Sequence, residues 1–134
     1  MKLVAIDFET ADQSADSACA IGIVSIEKGK ITKKGYRLIR PPRRHFIFSY
    51  IHGISWADVE AQPTFIDVWD QFAPFWKDAD YFLAHYAPFD RNVLTACVRL
   101  PGEDRRGCRL YAPSESLGHI GIFDRQTCQP CVPS

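Results

Sequence analysis

Two acidic residues follow the first apolar segment of the chain and could bind a metal ion. Leu3-Val4-Ala5-Ile6 is followed directly by Asp7-Phe8-Glu9-Thr10. The apolar run predicts a buried strand. Because side chains alternate along a strand, Asp7 and Glu9 lie on one face, about 7 Å apart. The two carboxylates repel each other and lose hydration, and Mg²⁺ or Mn²⁺ would relieve both costs. The alternative is a strand that ends in a solvated acidic loop.

A third acidic residue, Asp90, lies where a strand gives way to a helix. Tyr81-Phe82-Leu83-Ala84 predicts the strand, and His85-Tyr86-Ala87-Pro88-Phe89-Asp90 follows it. The residues that share one face of the predicted helix are Asp90, Val93, Leu94, Cys97 and Val98. Asp90 therefore lies in the first turn, on the side that faces the core and near the positive end of the helix dipole. This inward direction adds Asp90 to the candidate metal ligands.

Two further strands and one long helix connect these acidic segments. Ala18 to Ile26 and Ile31 to Ile39 predict a hairpin, with a glycine-containing turn at 27–30. Thr64 predicts a helix start, with Asp67 completing a capping box. The apolar face of that helix comprises Phe65, Val68, Trp69, Phe72, Phe75 and Trp76. We expect this face to pack on a sheet rather than to stack on bases, and Pro74 to kink or shorten the helix.

The two acidic segments together resemble the first two motifs of the DEDD (DEDDh) 3′-5′ exonucleases. These motifs are D-F-E-T after a strand and H-x-A-x-F-D at a strand-to-helix junction. The chain is similar to the epsilon (proofreading) subunit family of bacterial DNA polymerase III, including the stretch Ile51-His52-Gly53-Ile54-Ser55. The resemblance covers residues 2–100. It implies an α/β, ribonuclease-H-like mixed sheet, flanked by helices, with three antiparallel strands, then a parallel strand, and an incomplete C-terminal part.

The resemblance also implies a function and a set of site residues. The implied activity is metal-dependent 3′-5′ hydrolysis with two divalent ions, Mg²⁺ or Mn²⁺. Asp7 would bridge both ions, Glu9 would hold the ion that activates water, and Asp90 would reach the other. The residues implied to contact the terminal nucleotide are Thr10, Ala11, His52 and Phe89. The implied partner is a single-stranded 3′ end, DNA in preference to RNA, with a polymerase complex as a further partner.

The sequence pattern changes after Arg106. Residues 107–134 contain several prolines and glycines, and their apolar residues follow neither helical nor strand periodicity. We therefore predict an exonuclease-like domain over 1–106 and an irregular tail over 107–134. An abrupt loss of pattern indicates a chain that is truncated or frameshifted after Arg106. Cys128 and Cys131 form a C-x-x-C pair without a second pair at zinc spacing, which favours a chance pairing.

His119 and Asp124 have the five-residue offset of the third motif of the family. The resemblance implies that such a pair would supply the general base and the fourth acidic ligand. Gly118 and Gly121 lie nearby and disfavour the helix that this motif requires. A short strand near 119–123 is the structure that the residues favour. His119 and Asp124 are therefore retained as the weakest of the candidate catalytic residues.

Three functions remain open from the sequence. The first is the 3′-5′ exonuclease, and the second is a weak or inactive truncated remnant that acts as a nucleic-acid- or metal-binding module. The third is a DEDD-type ribonuclease that trims RNA 3′ ends. A complete set of four acids and a base separates the first from the second. No residue that would contact a 2′-hydroxyl can be located, so the sequence does not separate DNA from RNA.

Composition sets the broad class of the protein. A length of 134 residues with 46% hydrophobic residues predicts one domain with its own core. No apolar segment reaches about 20 residues, so a membrane is not expected as a partner. Five scattered cysteines predict a reduced, cytoplasmic protein. The net charge is zero, but Arg40, Arg43, Arg44 and His45 form a basic loop that is either solvated or used in binding.

Overall fold

A computed structural model describes residues 1–98 and 121–124 of the chain. The strands are β1 (Lys2–Thr10), β2 (Ala18–Glu27), β3 (Lys30–Leu38), β4 (Tyr81–Ala84) and β5 (Gly121–Asp124). The helices in these residues are α1 (Ser49–His52), α2 (Trp56–Val59), α3 (Phe65–Gln71), α4 (Ala73–Trp76) and α5 (Ala87–Val98). The strands form one sheet in the order β3-β2-β1-β4-β5. The first strand of the chain therefore lies at its centre.

The strand directions confirm the predicted ribonuclease-H-like mixed sheet. β1 pairs antiparallel with β2, and β2 pairs antiparallel with β3. β4 pairs parallel with β1 on its other edge, as expected for a strand that returns after a helical connection. β5 then adds antiparallel to β4. Lys28 and Gly29 both have positive φ, at 52° and 73°, which gives the β2–β3 turn the twist of a tight hairpin.

One face of β1 forms the centre of the hydrophobic core. Val4, Ile6 and Phe8 are buried, whereas Asp7 is exposed on the opposite face. The helical aromatic residues pack over this buried face, and the ring of Trp69 stacks on that of Trp76 at 5.0 Å between centroids. This confirms that the aromatic stripe belongs to the core. Burial of large aromatic rings of this kind dominates core energetics.

The predicted interruption by Pro74 is confirmed. α3 ends at Gln71, and α4 begins at Ala73 with Pro74 in its first turn. Proline lacks the N–H that a continuous helix would need and is tolerated only in a first turn. The predicted capping box at the start of α3 is wrong, because the Thr64 hydroxyl donates to the Asp67 carboxylate at 3.2 Å and caps no backbone N–H.

The predicted inward face of α5 is confirmed. The five residues of that face are all buried: Asp90, Val93, Leu94, Cys97 and Val98. Apolar contact with the sheet fixes the rotation of the helix. That rotation carries the Asp90 carboxylate inwards.

Several predicted features lie outside the described residues. These are His119, Cys128, Cys131 and most of the predicted tail. The predicted short strand is found as Gly121–Asp124, so these four tail residues join the sheet. Within the part of the chain that is described, no helix has the length and apolar character needed to cross a membrane. The two cysteines described, Cys19 and Cys97, are both buried free thiols.

Two strand glycines differ in the space beside them and give a matched test of the packing. A Cβ at Gly35 would lie 2.7 Å from Phe72 Cε1, whereas one at Gly22 would meet nothing within 4 Å. We expect Gly35→Ala to lower the free energy of unfolding by about 1–3 kcal/mol through overpacking. Gly22→Ala should be neutral or slightly stabilising, because alanine loses less backbone entropy than glycine. Urea unfolding of both variants measures this, and equal effects would contradict the described packing.

Candidate active site

The candidate site forms where β1 extends beyond its parallel neighbour. The last β1–β4 pair is Ala5 with Leu83, yet β1 continues to Thr10. The outer edge of this extension has no strand partner in the described sheet. The Phe8 N–H on that edge donates to Asp90 Oδ1 at 3.1 Å. Asp90 therefore takes the place of a strand and satisfies a buried backbone donor.

The contact with Phe8 brings Asp90 to the strand segment that carries Asp7 and Glu9. Burial raises the pKa of Asp90 to about 7, and the negative charges of Asp7 and Glu9 raise it as well. The hydrogen bond from Phe8 acts in the opposite direction because it stabilises the ionised form. A cation at this place would stabilise the ionised form of Asp90.

The donor chemistry of these residues fits a hard divalent cation. All three side chains offer carboxylate oxygens, which are the preferred ligands of Mg²⁺ and Mn²⁺. Within residues 1–98 and 121–124, no group of three or more potential ligands already converges on one point. Asp7 is exposed and Glu9 is half-buried, whereas Asp90 is buried and hydrogen-bonded to the Phe8 N–H. The hydrogen bond to Phe8 thus places Asp90 beside the strand segment that carries the other two predicted ligands.

A cavity of about 230 Å³ adjoins the carboxyl cluster, which consists of Asp7, Glu9 and Asp90. The residues that line it are Phe8, Glu9, Thr10, Phe48, Ile51, His52 and Phe89. Thr10, His52 and Phe89, three residues predicted to contact a nucleotide, therefore lie around one space. Glu9 belongs both to the cavity and to the carboxyl cluster.

Ala11, the fourth residue predicted to contact a nucleotide, does not line the cavity. Its side chain is fully buried, and its N–H donates to the Ser17 carbonyl at 2.9 Å. Its carbonyl accepts from the N–H groups of Ile47 and Phe48, at 2.8 Å and 3.3 Å. Both backbone groups are therefore engaged within the protein, and Ala11 supports the cavity wall from behind.

His52 uses both ring nitrogens within the protein. The Ile54 N–H donates to Nδ1 at 3.0 Å, so Nδ1 carries no proton. Nε2 lies 2.9 Å from the Thr10 carbonyl, which accepts from the neutral tautomer protonated there. His52 therefore presents only its ring face and carbon edge to the cavity. It holds α1 against the end of β1.

Comparison with known proteins identifies the family. The exonuclease family model (RNase_T) matches residues 4–103. The chain belongs to this exonuclease family. A solved structure, Exonuclease X in complex with 5′ overhanging duplex DNA, shares 33% identity and a TM-score of 0.58 with it. That match covers 68% of this chain and 52% of the other, so this exonuclease chain spans about half of that relative. No curated protein matches.

Asp124 of this exonuclease chain lies towards the other end of the sheet from Asp7. It pairs with Tyr81, which in turn pairs with Leu3. Asp7 lies four positions beyond Leu3, which corresponds to about 13 Å along β1, and β5 is also two strands away. The register therefore opposes the predicted use of Asp124 as a fourth ligand beside Asp7.

Three residues of the exonuclease cavity were absent from the sequence-based set: Phe8, Phe48 and Ile51. Phe8 lies between the two acidic residues of β1, and its ring contacts the core as well. Ile51 is 66% exposed despite being apolar, and it belongs to the segment that resembles the family. That resemblance could have indicated Ile51. Phe48 precedes a four-residue helix and carries no periodic signal that would have indicated it.

The raised pKa of Asp90 predicts a pH-dependent stability in metal-free buffer. The folded-state value of about 7 exceeds the ordinary 3.8, so between these pH values the folded state retains a proton that the unfolded state releases. Stability from this group is therefore complete below pH 3.8 and falls as pH rises towards 7. Relative to Asp90→Asn, the wild type should lose roughly 4 kcal/mol between acid and pH 8, as an upper limit.

Urea unfolding of the two proteins at several pH values, with chelator present, measures that difference. Asp12 and Asp16 have lowered pKa values, so their contribution to stability changes with pH in the opposite direction. Both proteins contain these two residues, and the difference between their free energies of unfolding therefore cancels that contribution. A difference that is independent of pH would contradict the burial of an ionisable Asp90.

Proposed function

We propose that this chain is a divalent-metal-dependent exonuclease that hydrolyses phosphodiester bonds at the 3′ end of single-stranded nucleic acid. The main support is the hydrogen bond from Phe8 to Asp90, which joins the second acidic segment to the first. The exonuclease family match agrees with this reading.

The cavity suits the terminal nucleoside of such a strand. Its volume of about 230 Å³ is below the ~300–1,000 Å³ of sites that enclose drug-sized ligands, which favours one nucleoside over a longer segment as its occupant. Ile51 and Phe89 offer exposed apolar surface for a base or sugar. Glu9 lies where the cavity meets the carboxyl cluster, so the phosphate of a bound end would lie close to the acids.

In the proposed reaction, Asp7, Glu9 and Asp90 would hold two divalent ions, Mg²⁺ or Mn²⁺. Bound ions of this kind neutralise the phosphate and lower the pKa of the attacking water. The protein keeps the Asp90 carboxylate oriented through the Phe8 N–H. His52 and the Thr10 carbonyl keep the cavity wall fixed beside the reacting end. The terminal nucleotide is thereby positioned against the carboxylates before hydrolysis.

DNA is the proposed substrate in preference to RNA. The support is the solved relative, which is described in complex with 5′ overhanging duplex DNA. RNA, trimmed at its 3′ end, is the competing substrate. The epsilon-like assignment and association with a polymerase stay predictions, since the solved relative reported above is Exonuclease X.

A nucleic-acid- or metal-binding module without efficient catalysis is the second candidate. Two observations favour it within the described residues: Asp124 lies in a register remote from Asp7, and His52 has both nitrogens engaged. Loss of a positioned general base costs about 10²–10⁴ in rate. Such a module would bind metal and a strand end but shorten the strand barely above background.

Metal binding gives the first test. Millimolar Mn²⁺ should raise the melting temperature, because a ligand that binds only the folded state stabilises it, by about 2.7 kcal/mol at a concentration of 100 Kd. Asp7→Asn should abolish this shift. Asp70→Asn, which changes an exposed acid on α3, should preserve it. Thermal unfolding with and without Mn²⁺ measures all three proteins, and a wild type insensitive to Mn²⁺ would contradict the metal assignment.

Strand shortening gives the second test. The wild-type chain should shorten a 5′-labelled single-stranded DNA from its 3′ end in Mn²⁺, with a parallel RNA degraded more slowly. Asp7→Asn should reduce the rate by at least about 10²-fold, because it removes one of the proposed metal-binding carboxylates. Retained metal binding without shortening would favour the binding module. His119→Ala and Asp124→Ala tested alongside would show whether either residue takes part.

A further inference from the structure

An ionic cluster connects the loop that follows β1 to the loop that leads into the cavity wall. Arg43 Nη1 donates to Asp16 Oδ2 at 3.0 Å, while Nη2 donates to Asp16 Oδ1, which makes a bidentate pair. Arg43 Nε also donates to Asp12 Oδ2 at 3.3 Å. Asp12 is 6% exposed, so this part of the cluster is shielded from water. A bidentate, partly shielded pair has defined geometry that an ordinary surface pair lacks.

Hydrogen bonds within one turn hold the acidic side of the cluster. Asp12 Oδ1 accepts from the Ser14 N–H at 2.7 Å, and the Asp12 N–H donates to the Ser17 hydroxyl at 3.1 Å. The Ser17 hydroxyl donates back to the carbonyls of Asp12 and Ser14. The guanidinium also lowers the pKa of Asp16, so this pair stays ionised across the neutral range. Arg43 therefore attaches to a closed turn that leads directly out of β1.

The basic side leads into the cavity wall. Five residues after Arg43, the Phe48 N–H donates to the Ala11 carbonyl, and Ile47 does the same. Phe48 lines the cavity, and Ile51 and His52 of α1 follow it. The wall is thus attached to the β1 end at three places: the Arg43 cluster, the Ala11 carbonyl and the Thr10 carbonyl. Of these, only the first is ionic.

We infer that Arg43 is a positioning residue that sets the wall of the nucleotide cavity through Asp12 and Asp16, rather than a phosphate contact. This inference rests on the proposed function for its ligand. Both carboxylates occupy the guanidinium donors, so Arg43 has little capacity left for a phosphate. The adjacent Arg44 is exposed and forms no ion pair with a described residue. It offers a matched control, because Arg44→Ala removes the same charge one position along.

Hydrogen exchange tests the positioning without any ligand. In Arg43→Ala, the amides of Ile47 and Phe48 should exchange at least about tenfold faster, because their segment opens more often from the Ala11 carbonyl. The amides of β2 should be unchanged, and Arg44→Ala should match the wild type throughout. If the amides of Ile47 and Phe48 exchanged at the same rate in Arg43→Ala as in the wild type, the inference would be overturned, whatever the protein binds.

Affinity for a labelled single-stranded DNA, measured in Ca²⁺ to leave the strand intact, tests the effect on the site. Arg43→Ala should weaken binding about tenfold, because binding must then order the wall. Its Mn²⁺-induced melting shift should equal that of the wild type, since the carboxyl cluster is untouched. Arg44→Ala should weaken DNA binding at most about twofold. If Arg43→Ala merely destabilised the whole protein, DNA binding and Mn²⁺ binding would both weaken.

Asp16→Asn decides whether Arg43 positions the wall or contacts a phosphate, because the two roles predict opposite changes in DNA affinity. Removing the partly exposed negative charge of Asp16 and freeing Arg43 would strengthen DNA binding if Arg43 were a phosphate ligand. The positioning role predicts weaker binding instead, as in Arg43→Ala. Tighter binding by Asp16→Asn would overturn the inference. Failure of the wild type to bind DNA would count against the proposed function alone, because hydrogen exchange still decides the role of Arg43.

Discussion

The site depends on one backbone donor, the Phe8 N–H, that the sheet leaves without a strand partner. β1 runs on past the end of its pairing with β4, and burial makes an unpaired donor costly. Asp90 satisfies that donor because α5 is rotated by its apolar face to direct the carboxyl group inwards. The same arrangement brings a third negative group to a place that already has two. A stable backbone hydrogen bond and an unfavourable concentration of charge are therefore consequences of one contact.

The last residues of β1 serve several purposes at once. Glu9 faces the carboxyl cluster and the cavity, the Thr10 carbonyl accepts from His52, and the Ala11 carbonyl accepts from the segment before α1. Alternation along the strand makes this possible, because neighbouring residues face different surroundings. The metal ligands and the nucleotide cavity are consequently built on one rigid element. Glu9 is the residue that the two places share.

Local periodicity predicted much of this structure, and contacts between distant segments account for the rest. The inward direction of Asp90 followed from helical spacing, and the β2–β3 hairpin followed from two strand-like runs around a glycine. The five-residue offset between His119 and Asp124 gave no information about register, which placed Asp124 opposite Tyr81. The cavity wall around Phe48 was also not predictable, because long-range hydrogen bonds hold it rather than an amphipathic pattern. Likewise, nothing in the sequence showed that Arg43 would pair with Asp16.

The position of β1 at the centre of the sheet has a consequence for the order of folding. β1, β2 and β3 are consecutive and can pair as soon as they are made, with only short loops to close. The contact between Phe8 and Asp90 spans 82 residues, so it cannot form until α5 has been synthesised. Until then, the outer edge of β1 is open and the Phe8 N–H lacks the Asp90 carboxylate as its acceptor. An unpaired edge of this kind can pair with other chains, so the interval before α5 docks is when the nascent chain is most exposed to aggregation.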